Sequence, residues 1–230
     1  MSSFHSAAFE LLERPLLRSP EAALEIAGTE QRIGFALPAS VREWYGYGGA
    51  VEILAKYSND DPPIAVSNFA VTHWNSNRLI PFRNENQRVC VWAILLDGSE
   101  DPPVCVDVDS GGREWHVLAS TFSAYVRTCI WDYKVVLHRA ALLQAQGGPL
   151  SPVAVQQLEE ICRAEPMTHG WPGSTQHRFQ GDGFAILIWS SENQADWFLS
   201  GESEASREEG RRAIAHIDNV GQAFYRADRS

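Results

Sequence analysis

Near Val51 the hydrophobic pattern of this chain changes from a helical period to a strand period, and that change limits the folds open to it. Before this point, Phe4, Ala7, Ala8, Leu11 and Leu12 recur at helical spacing until Pro15. Ser19-Pro20, a capping residue followed by proline at the first helical position, starts a second helix running to about Gly28. Leu37-Pro38 opens a third, in which Val41, Trp44 and Tyr45 share a face until the glycines at 46, 48 and 49. After it, Val51–Ala55, Ile64–Val66, Val89–Leu95, Val104–Val108 and Glu114–Leu118 are short β-branched or aromatic runs separated by Asn, Asp, Pro and Gly. Runs so closely spaced leave room for hairpin turns and not for helical crossovers, so an antiparallel meander is expected. Val104, Val106 and Val108 alternate with Cys105, Asp107 and Asp109, as in a sheet with one wet face.

Ser120 then caps a helix with Phe122, Tyr125, Val126 and Cys129 on one stripe, expected to reach about Gln146. The run Gln146-Gly147-Gly148-Pro149-Leu150 ends it and divides the chain into an α+β domain, 1–146, and a C-terminal αββα module, 147–230. In that module Ser151-Pro152 starts a helix with Val155, Leu158 and Ile161 inward. Gly183–Trp189 and Ala195–Leu199 form a hairpin, and Ile214, Ile217, Val220 and Phe224 line a last helix. The expected class is therefore α+β: an antiparallel sheet surrounded by helices, with a C-terminal helix-hairpin-helix extension packed on it. Packing is expected because a unit of roughly 80 residues buries little surface by itself.

Composition removes several function classes. Hydrophobic residues make up 44% of the chain, including eight Trp, ten Phe and six Tyr, which suits a packed core. The net charge is −10 and the only lysines are Lys56 and Lys134, so no basic surface for nucleic acid is expected. The longest unbroken apolar run, Val89–Leu96, is far short of the roughly 18 residues of a membrane helix. Cys90, Cys105, Cys129 and Cys162 form no CxxC pair and sit in or beside apolar runs, as buried reduced thiols do. With no export signal in MSSFHSAAFELLERP, the expected compartment is the cytoplasm.

Asp107-Val-Asp109-Ser-Gly111-Gly112 begins like a calcium loop, but its twelfth position is Leu118, which cannot ligate, so a glycine hairpin turn is the better reading. His73, His116, His169 and His177 fall in different elements without HExxH spacing, and no GxSxG elbow occurs. Gly46-Tyr-Gly48-Gly49 follows a helix instead of preceding one, which suits a helix stop and not a phosphate cradle. No catalytic residue, metal or cofactor is expected. The carboxylates of Asn59-Asp60-Asp61-Pro-Pro63 and Asp97-Gly-Ser-Glu100-Asp101-Pro-Pro103 could serve a hydrolase if burial separated their pKa values. Proline-rich turns are usually wet, so they read better as acidic loop tips that meet a partner. Trp92, Trp115 and Trp189 lie in strands and are expected as half-buried structural residues, whereas Trp74, between two elements, is expected as an exposed anchor. The candidate contacts are thus Asp60, Asp61, Trp74, Asp97, Glu100 and Asp101, facing a basic protein.

One segment carries a resemblance. Glu30-Gln-Arg-Ile33-Gly34, Leu37-Pro38, Ser40, Trp44-Tyr45 and Gly48-Gly49 resemble the opening of the SUKH superfamily. Leu79-Ile80-Pro81-Phe82, Val91-Trp92, Pro103-Val104 with Asp107, and Ser120-x-Phe122 are similar to it in order and spacing, so the likeness covers about residues 20–135. It implies an α+β fold of helices around an antiparallel sheet, no catalytic residues, and a protein-binding role. In bacteria that role is usually an immunity protein neutralising a toxin, while an intracellular scaffold or regulatory module is the other role it allows. The Leu37–Gly49 segment itself reads as a marker of the fold and not as a contact surface. The stretch beyond Gly147 is larger than the superfamily's domain requires.

Overall fold

The computed structural model describes residues 3–12, 16–57, 61–108, 114–137, 142–169, 174–217, 220 and 225–226. These form two compact units, residues 1–130 and 131–230, with helices and two antiparallel sheets. The mixed α+β class expected from the sequence is what forms. The division lies ahead of the 146/147 break because Leu142–Gly147 is a strand of the second unit's sheet and not the end of a helix.

In the first unit, α1 (Ser6–Phe9), α2 (Pro20–Ile33), α3 (Ala39–Tyr45) and α4 (Ala50–Lys56) precede the sheet. The Ser19 hydroxyl accepts from the Ala22 amide and Pro20 occupies the first turn, while Gly34 ends α2 at φ 83°, a left-handed value glycine adopts without strain. Val51–Ala55, expected as a strand, is helical. Gly49, also at φ 83°, turns the chain into α4 and stacks Ala50 and Leu54 on its buried side. Ile64–Val66 is likewise not a strand; a short 3-10 turn covers Val66–Asn68.

The meander is β1 (Thr72–Trp74), β2 (Asn77–Asn84), β3 (Val91–Leu95), β4 (Val104–Asp107) and β5 (Trp115–Ala119), paired in that order. The β1–β2 hairpin has no counterpart in the strand pattern of the sequence, because Asn75, Asn77, Arg78 and Pro81 interrupt it. A wet face on β4 is also not found: all four of its residues are buried. Phe82 on the inner face meets Phe122 and Tyr125 of α5 (Phe122–Trp131) edge-on, at 5.6 and 5.3 Å between ring centroids. On the other face Leu79, Ala93, Cys105 and Trp115 form a second apolar cluster. α5 is capped by Thr121, whose hydroxyl accepts from the Ala124 amide, and not by Ser120. Six π-helical residues, Asp132–Leu137, follow it in place of an extension to Gln146.

The second unit is not a helix-hairpin-helix. β6 (Leu142–Gly147), α6 (Pro152–Ile161), β7 (Arg163–His169), β8 (Thr175–Gln180), β9 (Phe184–Ser190), β10 (Ala195–Gly201), α7 (Glu204–Ala213) and β11 (Tyr225–Arg226) build a sheet in the order β11-β6-β10-β9-β8-β7. The expected β9–β10 hairpin and the Ser151-Pro152 helix start are present. β7 and β8 escape the pattern because they alternate polar and charged residues, such as Glu165, Thr168, Gln176 and Arg178, which the fold buries or half-buries. Ile186, Ile188, Trp197, Leu199, Ala154 and Leu158 make the core. Ile214 and Ile217 join it from beyond the end of α7, while Phe224 lies outside the described residues. Gly210 lets α7 approach β9, since a Cβ there would come 2.7 Å from the Phe184 ring.

Candidate functional site

A concavity of the first unit is built from the α2–α3 connection and the β3–β4 turn. Phe35, Ala36, Leu37, Pro38 and Ala39 line one side of a groove of about 260 Å³. Leu96, Gly98, Ser99 and Glu100 line the other, with Arg42 and Arg78 also on its wall. The sequence explains why these segments meet. Gly34 reverses the chain after α2, and Glu30 reaches forward to accept the Leu37 amide at 2.8 Å and to approach Arg42 at 3.9 Å. Pro38 then starts α3, and the Ser40 amide donates to the Glu100 carbonyl at 2.9 Å, which ties the turn to the helix.

Two expected contact residues, Asp97 and Glu100, are exposed on this turn. Asp97 accepts from the Ser99 amide and hydroxyl at 2.9 and 2.7 Å, an Asx arrangement that holds the tip in one shape. Arg78 places its guanidinium 4.9 Å from the centre of the Phe35 ring. The Leu37-Pro38 pair, read from the sequence as a fold marker only, also forms part of the groove wall.

Three further expected contacts, Asp61, Trp74 and Asp101, are employed elsewhere. Asp101 accepts from the Ser123 amide and hydroxyl at 3.0 and 2.5 Å, and so supports the first turn of α5. Trp74 is half-buried in β1 and packs against the Leu79 cluster, which corrects its reading as an exposed anchor. Asp60 lies outside the described residues. Asp61 is not a wet loop tip: it is 7% exposed and accepts from Arg83 Nη2 at 2.8 Å and from the Asn86 amide.

Arg83 is the residue the sequence pattern misses, although a lone cation in Leu79-Ile-Pro-Phe-Arg83 is a detectable anomaly. Its Nη1 donates to the Tyr125 hydroxyl at 2.5 Å and contacts Cys129 Sγ at 3.6 Å, and its guanidinium lies 5.0 Å from the centre of the Trp92 ring. Burial pushes the Asp61 carboxyl upward, and Arg83 and the Asn86 amide pull against that rise. Burial also opposes the Arg83 charge, yet Tyr125, Cys129 and Asp61 hold its pKa above the ordinary value. The cluster is a buried ion pair with neutral supports, positioned to fix β2 against α5.

Burial raises the Cys90 thiol to about 12 and those of Cys105 and Cys162 to about 11, so all three are poor nucleophiles at neutral pH. Among the described residues no three His, Cys, Asp or Glu side chains are grouped to hold a metal ion, and no helix is long and apolar enough to cross a membrane. No protein-family model, curated protein or solved structure matches the chain.

Proposed function

We propose that this chain is a non-enzymatic protein-binding module of the SUKH type, an immunity protein of the cytoplasm that neutralises a basic toxin domain. The observation that carries this reading is the rigid acidic turn Asp97–Glu100, exposed at the rim of a groove with apolar walls. Its carboxylates steer a basic partner, and the groove supplies the desolvated contact from which affinity comes. A hydrolase needs two acids converging in one pocket with separated pKa values. Here Asp61 is paired with Arg83, and Asp101 is bonded to Ser123 at the start of α5.

The test is a search of the neighbouring genes for a large secreted protein with a variable C-terminal end, followed by co-expression of this chain with that end. Survival of the cells, together with a complex purified from both chains, is the expected result. Cell death at equal expression, with no complex, contradicts the proposal.

A further inference from the structure

We infer that the groove between the α2–α3 connection and the β3–β4 turn is a socket for one aromatic side chain of a protein partner. This rests on the binding-module reading and adds to it the chemistry of the anchor.

Size comes first. Pockets that enclose a whole small-molecule ligand run from roughly 300 to 1,000 Å³, whereas a cavity of about 150 Å³ already accepts benzene. At about 260 Å³ the groove holds one ring with its methylene and little more. Charge comes second. Arg42 and Arg78 line the same groove as Glu100, with Asp97 on the same turn. An inserted carboxylate therefore meets Glu100 as well as the two arginines, and an inserted ammonium or guanidinium meets the two arginines as well as Glu100. The lining selects a net charge of neither sign.

An aliphatic side chain would displace water from two guanidinium groups and return no polar contact. A ring returns one, because the negative face of its quadrupole attracts a guanidinium while its edge packs on Leu37, Pro38 and Leu96. The site already contains this interaction, in Arg78 against Phe35. Tyrosine fits best, since its hydroxyl can be met by Ser99 or Glu100 on the same wall. Tyr and Trp are also the residue types that most often anchor protein interfaces.

The probes are N-acetyl-L-tyrosinamide and N-acetyl-L-tryptophanamide, titrated at millimolar concentration into the ¹⁵N-labelled full chain. N-acetyl-L-leucinamide, N-acetyl-L-glutamate and N-acetyl-L-argininamide are the comparisons. Saturable shifts of the Phe35, Ala36, Leu96, Gly98 and Ser99 amides are expected with the two aromatic probes alone. Arg78→Ala should weaken them about 2- to 5-fold. Ala36→Trp, made from an exposed groove position, should abolish them with an unchanged melting curve. Equal or stronger binding of the leucine, glutamate or arginine probe overturns the socket, as do aromatic shifts mapping elsewhere or the absence of saturation. If the socket fails while toxin co-expression still rescues cells, only the anchor chemistry falls. If the probes bind as expected and no rescue is seen, the immunity reading falls and the socket stands.

Discussion

Each unit of this protein buries one arginine against one aspartate, and the two pairs are supported very differently. In the second unit Arg178 grips Asp132 with both prongs, Nε and Nη2 each at 2.6 Å. It also donates to the Pro166 and Gln176 carbonyls, the Thr168 hydroxyl and the Gln176 side-chain oxygen. In the first unit Arg83 donates to Asp61 through Nη2 and to the Tyr125 hydroxyl through Nη1, and its Nε is buried without a hydrogen-bond partner among the described residues. Asp132 keeps 21% side-chain exposure, whereas Asp61 keeps 9%. The first pair thus sits in a drier place, and its arginine has fewer oxygen acceptors among the described residues than Arg178 has. The unit with the less supported arginine also carries the groove.

The sharpest way to break this contrast is to remove each carboxylate. Asp61→Ala strands Arg83 and should destabilise the first unit by about 3–5 kcal/mol. Asp132→Ala leaves Arg178 four oxygen partners and an opening to water, so the loss in the second unit should be smaller, about 2–3 kcal/mol. Hydrogen exchange read separately on β2–β4 and β8–β10 decides the order, and equal losses would remove the distinction. Tyr125→Phe should cost about 1.5–2 kcal/mol in the first unit through the lost bond from Arg83. In the second unit, Ser203→Ala removes half of the capping box of α7 and should cost about 0.5–1 kcal/mol.

The gentlest probe is pH. His5 is buried against Trp44 and Phe122, with Nε2 on the Ser40 carbonyl, and burial lowers its pKa below 6.5 despite Glu43 and Asp101 nearby, with Arg18 acting in the same direction as burial. The unfolded chain then binds the proton more readily than the folded one. The contribution of His5 is fully present above pH 6.5 and is lost as pH falls from there through the folded-state value. Glu43 acts in a lower window. Burial works to raise its pKa, but bonds from Ser3 and the Phe4 and His5 amides bring it below 4.5, so its contribution disappears in stronger acid. A melting temperature that declines between pH 7 and 5 in the wild type, and declines less in His5→Asn, is expected.

What could be read in the sequence follows the same divide. Helix starts marked by Ser-Pro, at 19–20 and 151–152, are correct because they depend on neighbouring residues only. The Phe184–Gly201 hairpin is legible because its first strand is rich in isoleucine and aromatic residues and its second carries Trp197, Phe198 and Leu199. Val51–Ala55 misleads because five apolar-rich residues suit either period, and Gly49 upstream decides for helix. β7 and β8 are hidden because Glu165, Thr168 and Arg178 look like surface residues until the fold brings Asp132 to Arg178. Among the candidate contacts, Asp97 and Glu100 are legible as exposed acids. Asp61 and Asp101 are not, since Arg83 and Ser123, 22 residues away in each case, take them up. Arg42 and Arg78 join the groove through long-range packing that no local spacing announces.

Association kinetics of the purified toxin domain, measured at low and high salt, test the central claim most directly. The proteins to compare are the wild type, the double variant Asp97→Lys/Glu100→Lys, and Glu192→Lys in the exposed β9–β10 turn of the second unit. The expected result is an on-rate about ten-fold slower for the double variant at low salt, converging with the wild type at high salt, and no change for Glu192→Lys. An unchanged on-rate for the double variant, or an equal loss for Glu192→Lys, would contradict the claim that the first unit's acidic turn meets the partner.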